Sequence, residues 1–360
     1  MTEGLTTPGA GWRRADGPSA LGRELRRRGR GKGGGGKGGG GKVGRRPMAP
    51  DGAPQVDDVE FASYYGRPII KAPVWKSPEV PLYLFLGGAA GSSSILGELA
   101  DLTDRPGLAR VARITSGGSA LASVVFLIMD LGQPKRFLHM LRVFKVTSPL
   151  SVGSYILAPF SGAAAATAAV ELLGWFPRLK RLGSVASAIL GAPLATYTAV
   201  LFANTAVPAW HAPGTQLPFV FAGSGMAAGG GITAAFAPIG EAVPARRMAV
   251  AGAAIELVAM HRVEHGHGLV SEPYREGRPG SFLKVARAAT VAGVAITVTA
   301  GRRRAGAVAA GSLFAAGSLL TRFGVFEAGL VSARDPKYTV IPQRERLAAR
   351  QHEHASTITG

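Results

Sequence analysis

From Val80 to Leu330 the chain is a succession of long apolar runs, each close to the ~20 residues that a helix needs to cross the hydrocarbon core of a bilayer. Eight are readable, at about 81–100, 108–130, 150–174, 184–207, 217–239, 244–262, 282–300 and 304–330. A soluble helical protein would break such runs with a polar face every few residues. Here "SVASAILGAPLATYTAVLFANTAV" passes 24 residues without a charge. The expected fold is therefore all-α: a polytopic membrane protein built as a bundle of eight transmembrane helices. The last run contains Arg322, which suggests a tilted helix or one that continues past the membrane.

Composition agrees. Only 18% of the 360 residues are charged, short of the roughly 25% usual in soluble domains. Glycine and alanine crowd the runs, as in "GAAGSSS" and "AAGGGITAAFA". They make poor helices in water, but in lipid small residues let helices approach closely. The formal charge is +19, and half of it belongs to residues 1–48, where twelve Lys/Arg face Glu3, Asp16 and Glu24. That tail, centred on "RRRGRGKGGGGKGGGGKVGRR", has almost nothing to bury, so 1–60 reads as a disordered, solvated linker. No nucleic-acid partner is expected of it. No apolar segment follows its arginines at the distance of a cleavable signal.

The expected organisation is a tail at 1–60, an extended interfacial lead-in at 61–80, the membrane domain at 81–330 and a C-terminal tail at 331–360. Eight spans place both chain ends on one side. The elaborate polar sequence also gathers there: the lead-in "SYYGRPIIKAPVWKSPE", the connection after Asp130, "ELVAMHRVEHGHG" and "SARDPKYTVIPQR". Loops carry function more often than packed elements do, so this chain-end face is the expected working face. Cations are nearly balanced between the two sides, so the positive-inside rule does not set the orientation.

Particular residues stand out on that face. Asp130 ends the second run and is followed by Lys135, Arg136 and His139 across a turn at Gly132 and Pro134. A carboxylate at a membrane boundary is costly unless paired or hydrated. The corner reads either as a staple between Asp130 and Lys135 or Arg136, or as a site handling protons and a quinone head group. Glu79 opens the first run with Tyr83 one turn later and Trp75 upstream as an interface anchor. Glu98 and Glu256 are candidates for buried carboxylates. His261 and His265 share a helical face, but no third ligand follows, so no metal site is expected. The chain has no cysteine, which excludes disulfides and thiolate-held clusters within it, and its histidines lie at helix ends or in loops rather than at haem-ligating depth.

Three blocks, "SYYGRPIIKAPVWKSPEVPLYLFLGGAAGSSS", "DLGQPKRFLHMLRVFKVTSPLSVGSY" and "RFGVFEAGLVSARDPKYTVIPQR", resemble the NrfD/PsrC family, the polysulfide-reductase-type membrane subunits, and the similarity covers about 61–345. The resemblance implies an eight-helix anchor in a bacterial cytoplasmic membrane, with no covalently bound cofactor and with menaquinone or another quinone as exchangeable substrate. Its implied partners are an iron–sulfur subunit and a molybdopterin catalytic subunit, and the lead-in looks like that of members associated with formate-dehydrogenase-like complexes. Carried over residue by residue, the quinone and proton-handling candidates are Glu79, Tyr83, Asp130, Arg136 and His139. The expected partner-docking face comprises Arg67, Lys71, Trp75, Arg142, His261, Glu264, His265, Arg334 and Asp335. The alternative is a small-molecule or ion transporter. Transporters often show paired internal repeats, and no convincing repeat joins 81–207 to 217–330.

Overall fold

The computed structural model describes residues 69–358 apart from Ala72, Pro134 and Trp175, with the backbone alone at 136–138 and 351–358. The tail at 1–60, most of the lead-in and Arg67 lie outside the described residues, as does the side chain of Arg136.

Every long run is a helix. In chain order these are α1 (Glu79–Leu102), α2 (Pro106–Leu131), the short α3 (Lys135–Met140), α4 (Pro149–Leu173), α5 (Pro177–Ala203), the short α6 (Pro208–His211), α7 (Leu217–Phe236) and α8 (Val243–His265). A 3-10 turn at Gly268–Ser271 and α9 (Glu272–Arg275) lead to α10 (Gly277–Ala300), α11 (Arg304–Arg334) and α12 (Lys337–Ile358). Proline in the first turn opens α2, α4, α5, α7 and α8, where its missing N–H costs nothing and its φ is already helical. Gly132 and Gly174 close α2 and α4 with φ of 70° and 71°, the left-handed cap that glycine adopts without steric cost.

Seven helices, α1, α2, α4, α5, α7, α10 and α11, are long and apolar enough to cross a membrane, and the chain is a multi-pass membrane protein. The eighth expected span corresponds to α8, which has the length but carries Arg246, Arg247, Glu256, Arg262 and Glu264. No strand occurs among the described residues.

The helices pack as two groups of four. In the first, α1 packs on α2, α2 on α4, α4 on α5 and α5 back on α1; in the second, α7, α8, α10 and α11 close a ring in the same order. The contact between α1 and α7 joins the groups, flanked by α5 on α7 and α11 on α1. Thus the two halves share one plan although their sequences show no convincing repeat: any apolar side chain of suitable size satisfies the same packing position. The central helices are the most enclosed, with 78% of the most apolar window of α1 and 72% of that of α7 buried, against 28% in α2 and α10. Glycine makes this closeness possible. A Cβ on Gly225 would stand 2.9 Å from the Gly88 carbonyl oxygen, and one on Gly191 would stand 2.5 Å from that of Gly91, so α1 meets α7 and α5 backbone to backbone.

The two ends of the bundle are separate in chemistry. Lys76 reaches Asp130, Trp75 reaches Phe202 and Trp210, Ala209 reaches Ser332, and Lys337 reaches Glu272, all at the chain-end face. At the far end, Arg113 pairs with Asp101 and with Glu171 (3.1 Å), Arg181 with Glu98 (2.8 Å), and Lys180 with Glu171 (3.5 Å). There Arg304 also donates to the carbonyls of Ala235 (2.7 Å), in the last turn of α7, and of Ala237 (2.9 Å), just after it. A cation placed at a helix C-terminus satisfies orphan carbonyls and the dipole together.

Candidate functional site

The lead-in reaches the bundle through Trp75. Its ring lies 5.4 Å from Phe202 and 5.4 Å from Trp210, while Phe202 and Trp210 stack at 4.4 Å and 8°. Trp210 is fully buried, donates from Nε1 to the Val325 carbonyl (2.8 Å), and occupies space that Gly329 leaves open. Expected as an exposed anchor and docking residue, Trp75 is half-buried in this intramolecular stack.

One residue further on, the Lys76 N–H donates to Asp130 Oδ1 (2.9 Å). Lys76 Nζ lies 3.9 Å from where a Cβ on Gly132 would stand, so the ammonium sits over the left-handed turn that ends α2. The described partner of Asp130 is therefore Lys76, 54 residues upstream, rather than Lys135 as the local spacing suggested.

Glu79 then opens α1, and its Oε2 is buried with no hydrogen-bond partner among the described residues. The charges of Lys76 and Glu79 act on Asp130, and Asp130 and Tyr197 in turn act on Tyr83, so these five side chains form one electrostatic cluster. Tyr83 is buried in α1, and its carbonyl accepts from Ser123 of α2 (3.0 Å). Tyr197 comes across from α5, its ring filling the space left by Gly153, where a Cβ would overlap it. A carboxylate pair, one ammonium and two phenols thus lie within electrostatic reach of one another where α1 begins. A buried carboxylate oxygen without a donor is an unmet demand of several kcal/mol in an apolar setting, about 2 or more by transfer measures. It calls for a donor from water or from a ligand.

Three of the five expected quinone and proton-handling residues, Glu79, Tyr83 and Asp130, are brought together in this corner. His139 lies in the last turn of α3 and is exposed. Two members escaped the sequence reading. Nothing local distinguishes Lys76 from the other lead-in cations, and Tyr197 is a lone tyrosine in a run where generic packing was the simplest account.

The motif that follows Asp130 has a structural role. Ser148 caps α4 by accepting from the Ser151 N–H (3.4 Å). Ser151 Oγ donates to the Val143 carbonyl (3.2 Å) and accepts from the Lys145 N–H (3.0 Å), and the Tyr155 hydroxyl donates to the Leu141 carbonyl (2.8 Å). Thus "SPLSVGSY" ties the connection down and, through Gly153, seats Tyr197.

The remaining expected residues are spread over the same face. Lys71, Arg142, His261, His265 and Arg334 are exposed. Glu264 is buried and paired with Arg287, and Asp335 Oδ1 accepts the Lys337 N–H at the start of α12 (2.9 Å). The His261 and His265 rings lie 4.4 Å apart, and no group of three metal-ligating side chains occurs among the described residues. Between α12, the 3-10 turn and the α5–α6 connection lies a groove of about 580 Å³ lined by His211, His267 and Tyr338. Burial pushes the His267 imidazole below its ordinary range. The hydrogen bond from Lys337 Nζ to Glu272 (2.8 Å) holds that ammonium above its own.

Of the two expected buried carboxylates, Glu98 is ion-paired at the far end, with Ser184 Oγ also donating to it (2.8 Å). Glu256 is buried between α8 and α11, where it accepts from Thr321 Oγ1 (2.5 Å) beside Arg322. Arg322 sits within the 31-residue α11, where it is fully buried, stacked 3.8 Å over Phe221 and donating to the Phe221 carbonyl (2.8 Å). An opposite charge and an aromatic face together offset its desolvation.

No curated protein matches the chain. The family model described as polysulphide reductase, NrfD, matches residues 70–239, from the lead-in through α7 and including all five members of the corner, so over that stretch the chain is similar to the NrfD family.

Proposed function

We propose that the chain is the quinone-reactive membrane subunit of a multisubunit oxidoreductase, with α8 completing eight spans of a bacterial cytoplasmic membrane. The family supplies membrane subunits of such complexes. An iron–sulfur subunit docks on the chain-end face, a molybdopterin subunit lies beyond it, of the formate-dehydrogenase-like kind, and menaquinone is the exchangeable substrate.

The observation that carries this reading is the partnerless buried oxygen of Glu79 next to Asp130, Tyr83 and Tyr197. Reduction of a quinone to a quinol takes two electrons from the partner's cluster and two protons. A phenol at the mouth donates a hydrogen bond to a carbonyl oxygen that gains charge as electrons arrive. The carboxylates relay protons to it, and Lys76 lowers the cost of holding two of them together. Apolar walls accept the ring and the isoprenoid tail. The protein thus contributes position and proton traffic while electrons stay on carrier and cluster.

The test is electron transfer from the assembled complex to a menaquinone analogue. Asp130→Asn and Glu79→Gln are each expected to lower turnover by on the order of a hundredfold, the usual contribution of a placed acid or base, with assembly intact. Unchanged turnover in both variants would remove the corner from the mechanism. Uptake of a solute into vesicles by the chain alone would favour transport instead.

A further inference from the structure

Between Asp130 and Glu171 the sequence has no carboxylate at all, yet it holds Lys135, Arg136, Arg142 and Lys145. Lys135, Arg142 and Lys145 are exposed, and none takes part in any ion pair among the described residues. Apolar side chains stand out beside them: Val143 is 67% exposed, Phe144 53% and Val146 74%. A segment that interleaves cations with exposed valine and phenylalanine leaves both unpaired charge and apolar surface facing outward. It suits the boundary where headgroup meets acyl chain.

The position is right for that boundary. The segment joins the end of α2 to the start of α4, and these helices are peripheral, with only 28% and 39% of their most apolar windows buried, against 78% in the central α1. It therefore stands at the rim of the bundle, next to lipid. It is also held in place by the Ser148, Ser151 and Tyr155 hydrogen bonds and by the Phe144 ring, 4.8 Å from that of Tyr155. Fixed cations lose less entropy on binding than cations on a free loop do.

We infer that the connection between α2 and α4 is a binding site for the anionic headgroup of a phospholipid. Lys135, Arg142 and Lys145 take the phosphate, while Val143, Phe144 and Val146 dip into the adjacent acyl region. Arg142, expected at a protein-docking face, is thereby assigned to lipid.

The experiment places the full-length chain in phosphatidylcholine nanodiscs containing a minority of phosphatidylglycerol, with either lipid carrying a photoactivatable group. Cross-links are mapped by mass spectrometry. In the wild-type chain, phosphatidylglycerol adducts are expected to concentrate within 139–148. Adducts spread evenly around the bundle, or equal labelling by both lipids, would overturn the assignment without any variant having to fold. In Lys135→Gln/Arg142→Gln/Lys145→Gln, the preference for the anionic lipid at this segment should fall by about fivefold per cation removed. Arg302→Gln/Arg303→Gln at the opposite end should leave it unchanged. A preference that survives the triple substitution refutes the proposal. So does loss of a co-purifying protein subunit with lipid preference intact, which would assign the cations to an acidic protein surface.

Discussion

Where α1 ends, Glu98, Asp101 and Glu171 each have a cationic partner: Arg181 for the first, Arg113 and Arg181 for the second, Arg113 and Lys180 for the third. Where α1 begins, Glu79 and Asp130 take part in no ion pair among the described residues, Asp130 lies in the field of Lys76, and one buried Glu79 oxygen has no hydrogen-bond partner among them. The residue types are the same. The difference lies in completeness: a closed network of charges joins four helices, whereas an open one keeps capacity for a ligand. Paired charges stabilise chiefly by not being left alone, and unpaired ones near an apolar mouth are where chemistry is expected.

That contrast can be broken most strongly at Arg113, which is only 5% exposed. Arg113→Met takes the buried partner from Asp101 and Glu171, leaving them only the more exposed Arg181 and Lys180, and should cost about 3 kcal/mol, the low end of the range for removing one partner of a buried pair. Thermal unfolding in detergent would show it, while the surviving protein transfers electrons normally. A loss of turnover without a loss of stability would make the far end functional and erase the distinction. Next in size, Glu79→Gln should reverse the pattern, with stability kept and quinone reduction slowed by on the order of a hundredfold. A smaller effect is expected from Gly153→Ala, whose Cβ collides with the Tyr197 ring. It should raise the KM for the menaquinone analogue and cost about 1–3 kcal/mol of stability by overpacking. Smallest is Glu98→Gln: its partner Arg181 is half-exposed, so about 1 kcal/mol or less is at stake and turnover should not move.

How much of this was legible follows from how far each signal reaches along the chain. The helices announce themselves within some twenty residues, and Gly132 and Gly174 mark their ends locally. Asp130 was readable as a corner because an isolated carboxylate at the end of an apolar run needs an explanation. Its partner was not, since Lys76 is brought there by the fold across 54 residues. Tyr197 was hidden for the same reason: its orientation depends on Gly153 of a different helix. Arg322 was readable as a charge inside the last run, but its surroundings were not, since Glu256 and Phe221 are brought to it from other helices. The likeness of the two four-helix groups was invisible because packing constrains size and shape more than residue identity.

The glycine contact between α1 and α7 limits what the seam can tolerate. Gly88 and Gly225 bring the two halves together backbone to backbone, and the buried Arg322 guanidinium lies against Gly88, so a larger residue at either position would force the halves apart and disturb a buried charge at once.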